Sequence, residues 1–217
     1  MGEFFRFVAN NTSLIGTAVS QHVLISLTAE LCGLIIALPL GILLTRNKRV
    51  AGVVLGIFGV INTIPSLVLL GVAMIVLGLG FAPAVAVLFL YSLLPILRNT
   101  YTGITEVNQK YIKSARGMGM SRRQILRIVQ IPLALPVILA GVRLSSIYII
   151  SWATLSAFIG AGGLGDLIWM GLQSYNYNMI FSGAIPATIL ALLVSFLLTR
   201  AEKFATRRGF REGGANT

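Results

Sequence analysis

The sequence predicts an all-α integral membrane protein with about five transmembrane helices and a cytoplasmic loop long enough to hold short helices of its own. Three observations lead to it. Hydrophobic residues make up 56% of the 217 residues and charged residues only 11%, against roughly 25% charge in a soluble globular domain; mean hydropathy is +0.89. Apolar stretches recur at the length that crosses a bilayer, about 20 residues as helix. Fifteen of the 17 Lys and Arg residues fall in three clusters that those stretches place on one side.

The chain reads as a single membrane domain over 1–217, with no length left for a separate soluble domain. From Met1 to His22 there is one Arg and one Glu among aromatic and polar residues, without the basic start and apolar run of a cleaved signal peptide. Phe4, Phe5, Phe7 and Val8 are expected to lie at the membrane interface. The first span is 23–44, with Glu30 as its only charge. Residues 50–97 form 48 residues without a charge, too long for one crossing at about 1.5 Å per residue. Gly78, Gly80 and Pro83 divide this run into a second span near 53–79 and a third near 84–105. Pro65 breaks or kinks the second, because proline removes a backbone donor. A fourth span lies near 135–159 and a fifth near 179–198.

Arg46, Lys48 and Arg49 follow the first span; Arg98, Lys110, Lys113, Arg116, Arg122, Arg123 and Arg127 surround the link between the third and fourth; Arg200, Lys203, Arg207, Arg208 and Arg211 follow the fifth. Positively charged loops stay in the cytoplasm, so the N-terminus is expected outside and the C-terminus inside. The link 160–178 has no Lys or Arg, as an external segment should. The net charge of +11 therefore follows topology rather than a nucleic-acid surface. Cys32, the single cysteine, lies in an apolar run and reads as a buried thiol, with neither a disulfide nor a thiolate metal site available.

The loop 108–127 is the most informative segment. On charge alone it is an anchor for anionic head groups. Ser121, followed at its third position by Gln124, has the pattern of a capping box, and Gly117 and Gly119 permit a sharp turn just before it. Helix, turn and helix are expected, closed by Pro132 and Pro136 where the chain re-enters the membrane.

The order of residues resembles the loop of ABC-importer permeases that begins Glu-Ala-Ala, places Gly four residues after the last Ala, and after nine more residues reaches Ile-x-Leu-Pro. Ala115 and Gly119 keep that spacing, Val129 and Ile131 replace their counterparts conservatively, and Pro132 closes it. Lys113 and Ser114 stand where the family has Glu and the first Ala, so an ion pair made by that Glu is not expected here. The stretches 62–67 (Asn-Thr-Ile-Pro-Ser-Leu), 94–103 (Leu-Pro-Ile-Leu-Arg-Asn-Thr-Tyr-Thr-Gly) and 159–166 (Ile-Gly-Ala-Gly-Gly-Leu-Gly-Asp) resemble the osmoprotectant group, the permeases for glycine betaine, carnitine and choline. Methionine-importer permeases share the five-span plan and the glycine loop.

The resemblance implies the type I importer permease fold, a bacterial cell-membrane location and a loop that serves as the coupling helix. Ala115, Gly119, Ser121, Arg122, Arg123 and Pro132 would form the contact with the ATPase. It further implies two ATPase subunits carrying ATP and Mg²⁺, a second permease copy or a paralogue, and an extracytoplasmic substrate-binding protein. No cofactor is expected on this chain, which lacks the Gly-x-x-x-x-Gly-Lys-Ser/Thr phosphate loop and must borrow its motor. Arg122 and Arg123 suit acidic residues on such a partner.

Other features carry less. Residues 160–165 match Gly-x-Gly-x-x-Gly, but a dinucleotide site needs a strand before it and a helix after it; an external gate element fits better, with Asp166 as a local cap. Glu30 is an ionisable group inside a span, open to a packing role or a substrate role. Arg143 is expected to form a structural pair, and His22 to be solvated at the interface. Quaternary ammonium groups are held by aromatic faces. Tyr91, Tyr148 and Trp152, with Asn62, Thr63, Ser66 and Ser156, are the candidates for a polar path; Trp169, Tyr175 and Tyr177 fit an interfacial belt. The alternatives are a methionine or other small-solute ABC permease, or an ion-coupled secondary transporter using Glu30 as a relay.

Overall fold

The computed structural model describes residues 2–211, with side chains described as far as Thr206. Arg207, Arg208 and Arg211, counted above with the basic set, have side chains outside the described residues.

The described residues are helical with short connections, and contain no strand. A short helix α1 (Gly2–Asn10) leads into α2 (Thr12–Leu44), and Phe4 of α1 meets Phe181 edge-on at 6.5 Å. α2 is 33 residues long, eleven longer at its start than the apolar run that hydropathy marks, because the polar residues before Val23 continue the same helix. Asn47 then caps α3 (Lys48–Thr63) by accepting from the Arg49 and Val50 N–H groups at 3.0 and 3.3 Å.

The expected second span is broken. α3 and α4 (Ser66–Leu77) meet at 93° across Ile64-Pro65. Proline disfavours helical geometry at the residue before it, and Ile64 is extended at φ −69°, ψ 132°. The Tyr91 hydroxyl donates to the Ile64 carbonyl that the break frees. α5 (Phe81–Thr105) is the central helix, buried against α2 on one side and α8 (Ile131–Ala153) on the other. Its contact with α2 relies on small residues eight apart: Gly33 lies against Ser92, and a Cβ on Gly41 would come within 2.8 Å of the Thr100 Cβ. Close backbone approach of this kind is what holds helices together where no hydrophobic force separates them from lipid.

α6 (Gln109–Gly117) and the short α7 (Arg122–Gln124) follow, and the chain passes through a π-helical stretch, Ile125–Gln130, into α8. The π register precedes Pro132, whose missing N–H leaves the Ile128 carbonyl without its α-helical donor. The fourth span thus differs from the expected 135–159. The helical run is Arg122–Ala153, and Leu155–Ile159 is a 3₁₀ turn. α9 (Leu164–Gln173) and α10 (Tyr177–Arg211) complete the chain.

Four helical runs are long and apolar enough to cross a membrane, and the bent α3–α4 pair makes up to five. Their outer surfaces are apolar: Ile35, Val60, Ile75 and Leu192 are 72%, 67%, 82% and 65% exposed. A soluble monomer would not carry so extensive an exposed apolar surface.

Candidate functional site

Two assemblies concern function, one at the end of the bundle where the basic residues gather and one further along α8. At the basic end, Asn108 opens α6 by accepting from the Lys110 N–H at 3.0 Å. The helix is amphipathic. Ile112 and Ala115 turn inward to a cluster with Ile104, Val107, Ile125, Ala134 and Ile138, while Lys110, Tyr111, Lys113, Ser114 and Arg116 are exposed. Ala115 is 0% exposed, so its small size brings α6 close to its own chain rather than to a partner's groove. The outward face is instead Tyr111 and, just past the helix, Met118, which are 48% and 70% exposed among the cations.

Gly119 makes the turn at φ +80°, a conformation open to glycine and costly for most side chains. Its N–H donates to the Arg116 carbonyl at 3.0 Å and the Met120 N–H to that of Ala115 at 3.1 Å. Ser121 then closes a complete capping box: its N–H donates to Gln124 Oε1 at 2.8 Å, and its Oγ accepts from the Gln124 N–H at 3.4 Å. Arg122 and Arg123 are exposed within it, and Pro132 is exposed in the first turn of α8. Ser121→Ala is expected to cost about 1 kcal/mol of local helix stability, read as faster amide exchange at Gln124 and Ile125 with an unchanged global melting temperature.

Further along, the structure brings together the three aromatic residues expected on a path. Tyr91 and Trp152 have ring centroids 4.6 Å apart, and Trp152 and Tyr148 stack at 5.2 Å with 27° between planes. Tyr91 is 1% and Tyr148 39% exposed, so the accessible aromatic faces are those of Tyr148 and Trp152. The Tyr91–Ile64 bond places the α3–α4 break beside the Tyr91 hydroxyl, and Asn62, Thr63 and Ser66 flank that break in sequence. Asn62 has a buried amide Nδ2 without a partner, whereas the Thr63 hydroxyl donates to the Val60 carbonyl at 2.6 Å. Ser156 does not join the group: it is fully buried and donates to the Ala153 carbonyl at 2.6 Å.

Several expectations are corrected. His22 is fully buried rather than solvated, and its Nε2–H donates to the Ile150 carbonyl at 3.0 Å. Cys32 is exposed on the outer face of α2 rather than buried. Asp166 makes no side-chain cap for α9, whose cap residue is Gly163; partial burial pushes its carboxyl up from the ordinary value. Arg143 does form a pair, with Glu202 at 3.5 Å, and donates to the Thr199 hydroxyl at 2.8 Å.

Sequence reasoning missed the partners of Glu30. Ser145 Oγ donates to Oε2 at 2.7 Å and Ser146 Oγ lies 3.1 Å from Oε1. The adjacent serines on α8 could have been noticed as hydroxyls inside an apolar run. Gln21, whose Oε1 accepts from the Gly163 N–H at 3.0 Å, carried no signal of its contact 142 positions away.

The comparisons with known proteins agree with this architecture. Residues 34–209 match the family described as binding-protein-dependent transport system inner membrane component. The glycine betaine/carnitine/choline transport system permease OpuCB of Bacillus subtilis is 46% identical over 97% of each chain. The carnitine transport permease OpuCB of Listeria monocytogenes is 50% identical over 88% of each. The osmoprotectant import permease OsmW of Salmonella typhimurium is 38% identical over 94% of this chain and 98% of its own. In fold, the chain is similar to one from the MetNI methionine ABC transporter solved in inward-facing conformations, with a TM-score of 0.80 and 23% identity over 90% of this chain and 98% of that one. With its bundle of apolar helices and its basic helix-turn-helix loop, this chain belongs to the family of binding-protein-dependent transport system inner membrane components.

Proposed function

We propose that this chain is the membrane-spanning subunit of an ATP-driven importer for the quaternary ammonium osmoprotectants glycine betaine, carnitine and choline. The observation that carries the reading is 46% identity along 97% of both chains to a permease named for those three solutes. The chain performs no catalysis. Two cytoplasmic ATPases, holding ATP and Mg²⁺, dock on the loop 108–127 through Gly119, Ser121, Arg122, Arg123 and Pro132 together with the exposed Tyr111 and Met118. Ala115 supports that surface from beneath. A second permease copy or a paralogue completes the path, and an external binding protein delivers the solute. The N-terminus is outside and the C-terminus cytoplasmic, as the clustered Lys and Arg require.

The helical run Arg122–Ala153 supplies the transmission. Its 32 residues span about 48 Å at 1.5 Å per residue. Arg122 and Arg123 stand at the docking end and Tyr148 and Trp152 near the other. When ATP draws the ATPases together, a tilt imposed on α6 and α7 moves the aromatic pair with it, shifting the population from inward-open to outward-open. Asn62, Thr63 and Ser66 at the break supply polar groups beside the aromatic faces. Non-helical backbone at membrane depth belongs where it lines a path. Ser156 serves as a buried support behind them.

Uptake of labelled choline is expected to be inhibited by unlabelled glycine betaine and carnitine but not by methionine. Inhibition by methionine alone would overturn the substrate assignment. Trp152→Ala is expected to lower uptake about tenfold, in keeping with the roughly 1–2 kcal/mol of a desolvated cation–π contact, while ATP hydrolysis persists. Unchanged uptake would remove the aromatic pair from the path.

A further inference from the structure

Glu30 enters none of the roles proposed above. It lies in the apolar part of α2, is 8% exposed, and lines a cavity of about 120 Å³ between α2, α8 and α10. Ser26, one turn earlier on the same face of α2, and Ser146 of α8 line it too; the other walls are Val, Leu and Ile side chains. No Lys, Arg or His reaches the cavity, and among the described residues the one ion pair is Arg143–Glu202. A charge inside a membrane domain is costly unless it is paired. The α8 serine hydroxyls hold the carboxylate in place but bring no positive charge.

Two oxygens beside Glu30 are available as ligands. Ser26 Oγ is buried without a hydrogen-bond partner, in a residue 6% exposed, although buried hydroxyls are nearly always paired. Ser146 Oγ lies 3.1 Å from Glu30 Oε1 and 2.9 Å from the Val142 carbonyl. It has one hydrogen for two acceptors, so donating to the carbonyl turns its lone pairs toward the carboxylate. Ser145 has the same choice, between Glu30 Oε2 at 2.7 Å and the Ser92 carbonyl at 3.4 Å.

We propose that this pocket binds one alkali-metal cation, which neutralises Glu30 and ties α2 to α8. Carboxylate and hydroxyl oxygens are the ligands that hard cations take. The cavity also has room for waters to complete the shell, at roughly 30 Å³ each. A single carboxylate balances a single positive charge, whereas a divalent ion would leave an excess charge in the membrane interior. Among the described residues no group of three or more His, Cys, Asp or Glu gathers to hold a metal of another class. A proton on Glu30 would cancel the charge but use neither the Ser26 oxygen nor the cavity. The cation is resident rather than carried with the solute, because the proposed cycle draws its energy from ATP. The inference rests on the membrane placement in the proposed function, and on neither the substrate nor the loop contact.

The test uses the full permease–ATPase complex in detergent, exchanged into N-methylglucamine chloride and titrated with NaCl or KCl at constant ionic strength. Saturable binding of one radiolabelled sodium or rubidium ion per permease chain is expected, with a melting temperature that rises along the same curve. Ser26→Ala removes a ligand but none of the hydrogen bonds described above. It should weaken binding at least tenfold, since even a group that only supports a ligand is worth that much to a metal site, and leave the cation-free melting temperature unchanged. Glu30→Gln should abolish binding and make the melting temperature indifferent to the cation. Absence of saturable binding in the parent would overturn the proposal and leave Glu30 neutralised by a proton. Unchanged binding in either variant would overturn it as well. Uptake of labelled glycine betaine into liposomes with equal cation on both sides keeps the readings apart. Uptake that requires a gradient of the bound cation would make it a coupling ion and overturn its resident role. Cation binding by a complex that does not transport glycine betaine would leave this inference standing and remove the substrate assignment.

Discussion

Gly165→Ala is expected to keep the chain from reaching its folded state. Gly165 lies in the first turn of α9, pressed against the end of α8, and a Cβ there would stand 2.7 Å from the carbonyl carbon of Thr154 and 2.9 Å from its Cα. Those are backbone atoms, so no side chain can rotate away to make room. Overpacking costs about 1–3 kcal/mol where neighbours can adjust; here the cost is expected at or above the top of that range. The measurement is the yield of monodisperse protein in detergent and its melting temperature. Gly52→Ala is the control: no heavy atom lies within 4 Å of its added Cβ, and alanine stabilises an exposed helix by up to about 1 kcal/mol over glycine. A Gly165→Ala protein as stable as the parent would mean that α9 is not seated against Thr154.

Gly119→Trp is expected to do the opposite, leaving the membrane domain intact while ending transport. No heavy atom lies within 4 Å of a Cβ built there, so space is not the obstacle. The obstacle is φ +80°, where a bulky L-residue costs roughly 1–2 kcal/mol. The turn is expected to reopen, separating α6 from the capping box at Ser121, with an indole now standing on the docking face. Membrane insertion should be unchanged, the ATPase should be lost in a pull-down, and uptake should fall to background. Gly119→Asn should keep most of the binding, since asparagine tolerates the left-handed region. ATPase retained by Gly119→Trp would move the contact elsewhere on the chain.

Local chemistry was legible in the sequence where it is self-contained. Ser121 and Gln124 need only each other to form a capping box, and Gly119 needs only its own φ. Which side of a membrane helix faces inward was not legible. An amphipathic pattern reveals the buried face of a helix in water, but the polar and apolar residues of α2 are not sorted onto opposite faces, so nothing marked His22 as buried or Cys32 as exposed. The two serines of α8 that hold Glu30 lie 115 and 116 positions from it, and no local rule joins them. Element ends were also misplaced where hydropathy and helix diverge. α2 begins before its apolar run, and α8 gives way to a 3₁₀ turn while the chain is still apolar at Leu155. The aromatic group was found as a set because the chemistry of a quaternary ammonium ion selects such residues. Ser156 was included with it on polarity alone, and its hydroxyl is spent on the Ala153 carbonyl.

The central claim is that the basic loop couples this membrane domain to an ATP-driven motor. Its most direct measurement is uptake of labelled glycine betaine into liposomes holding this permease, its ATPase and its binding protein, with ATP supplied on the ATPase side. The account predicts accumulation against a gradient that requires ATP, is indifferent to a collapsed ion gradient, and disappears with Gly119→Trp. Uptake that persists without ATP and follows an ion gradient would contradict it, and would return Glu30 to consideration as a relay.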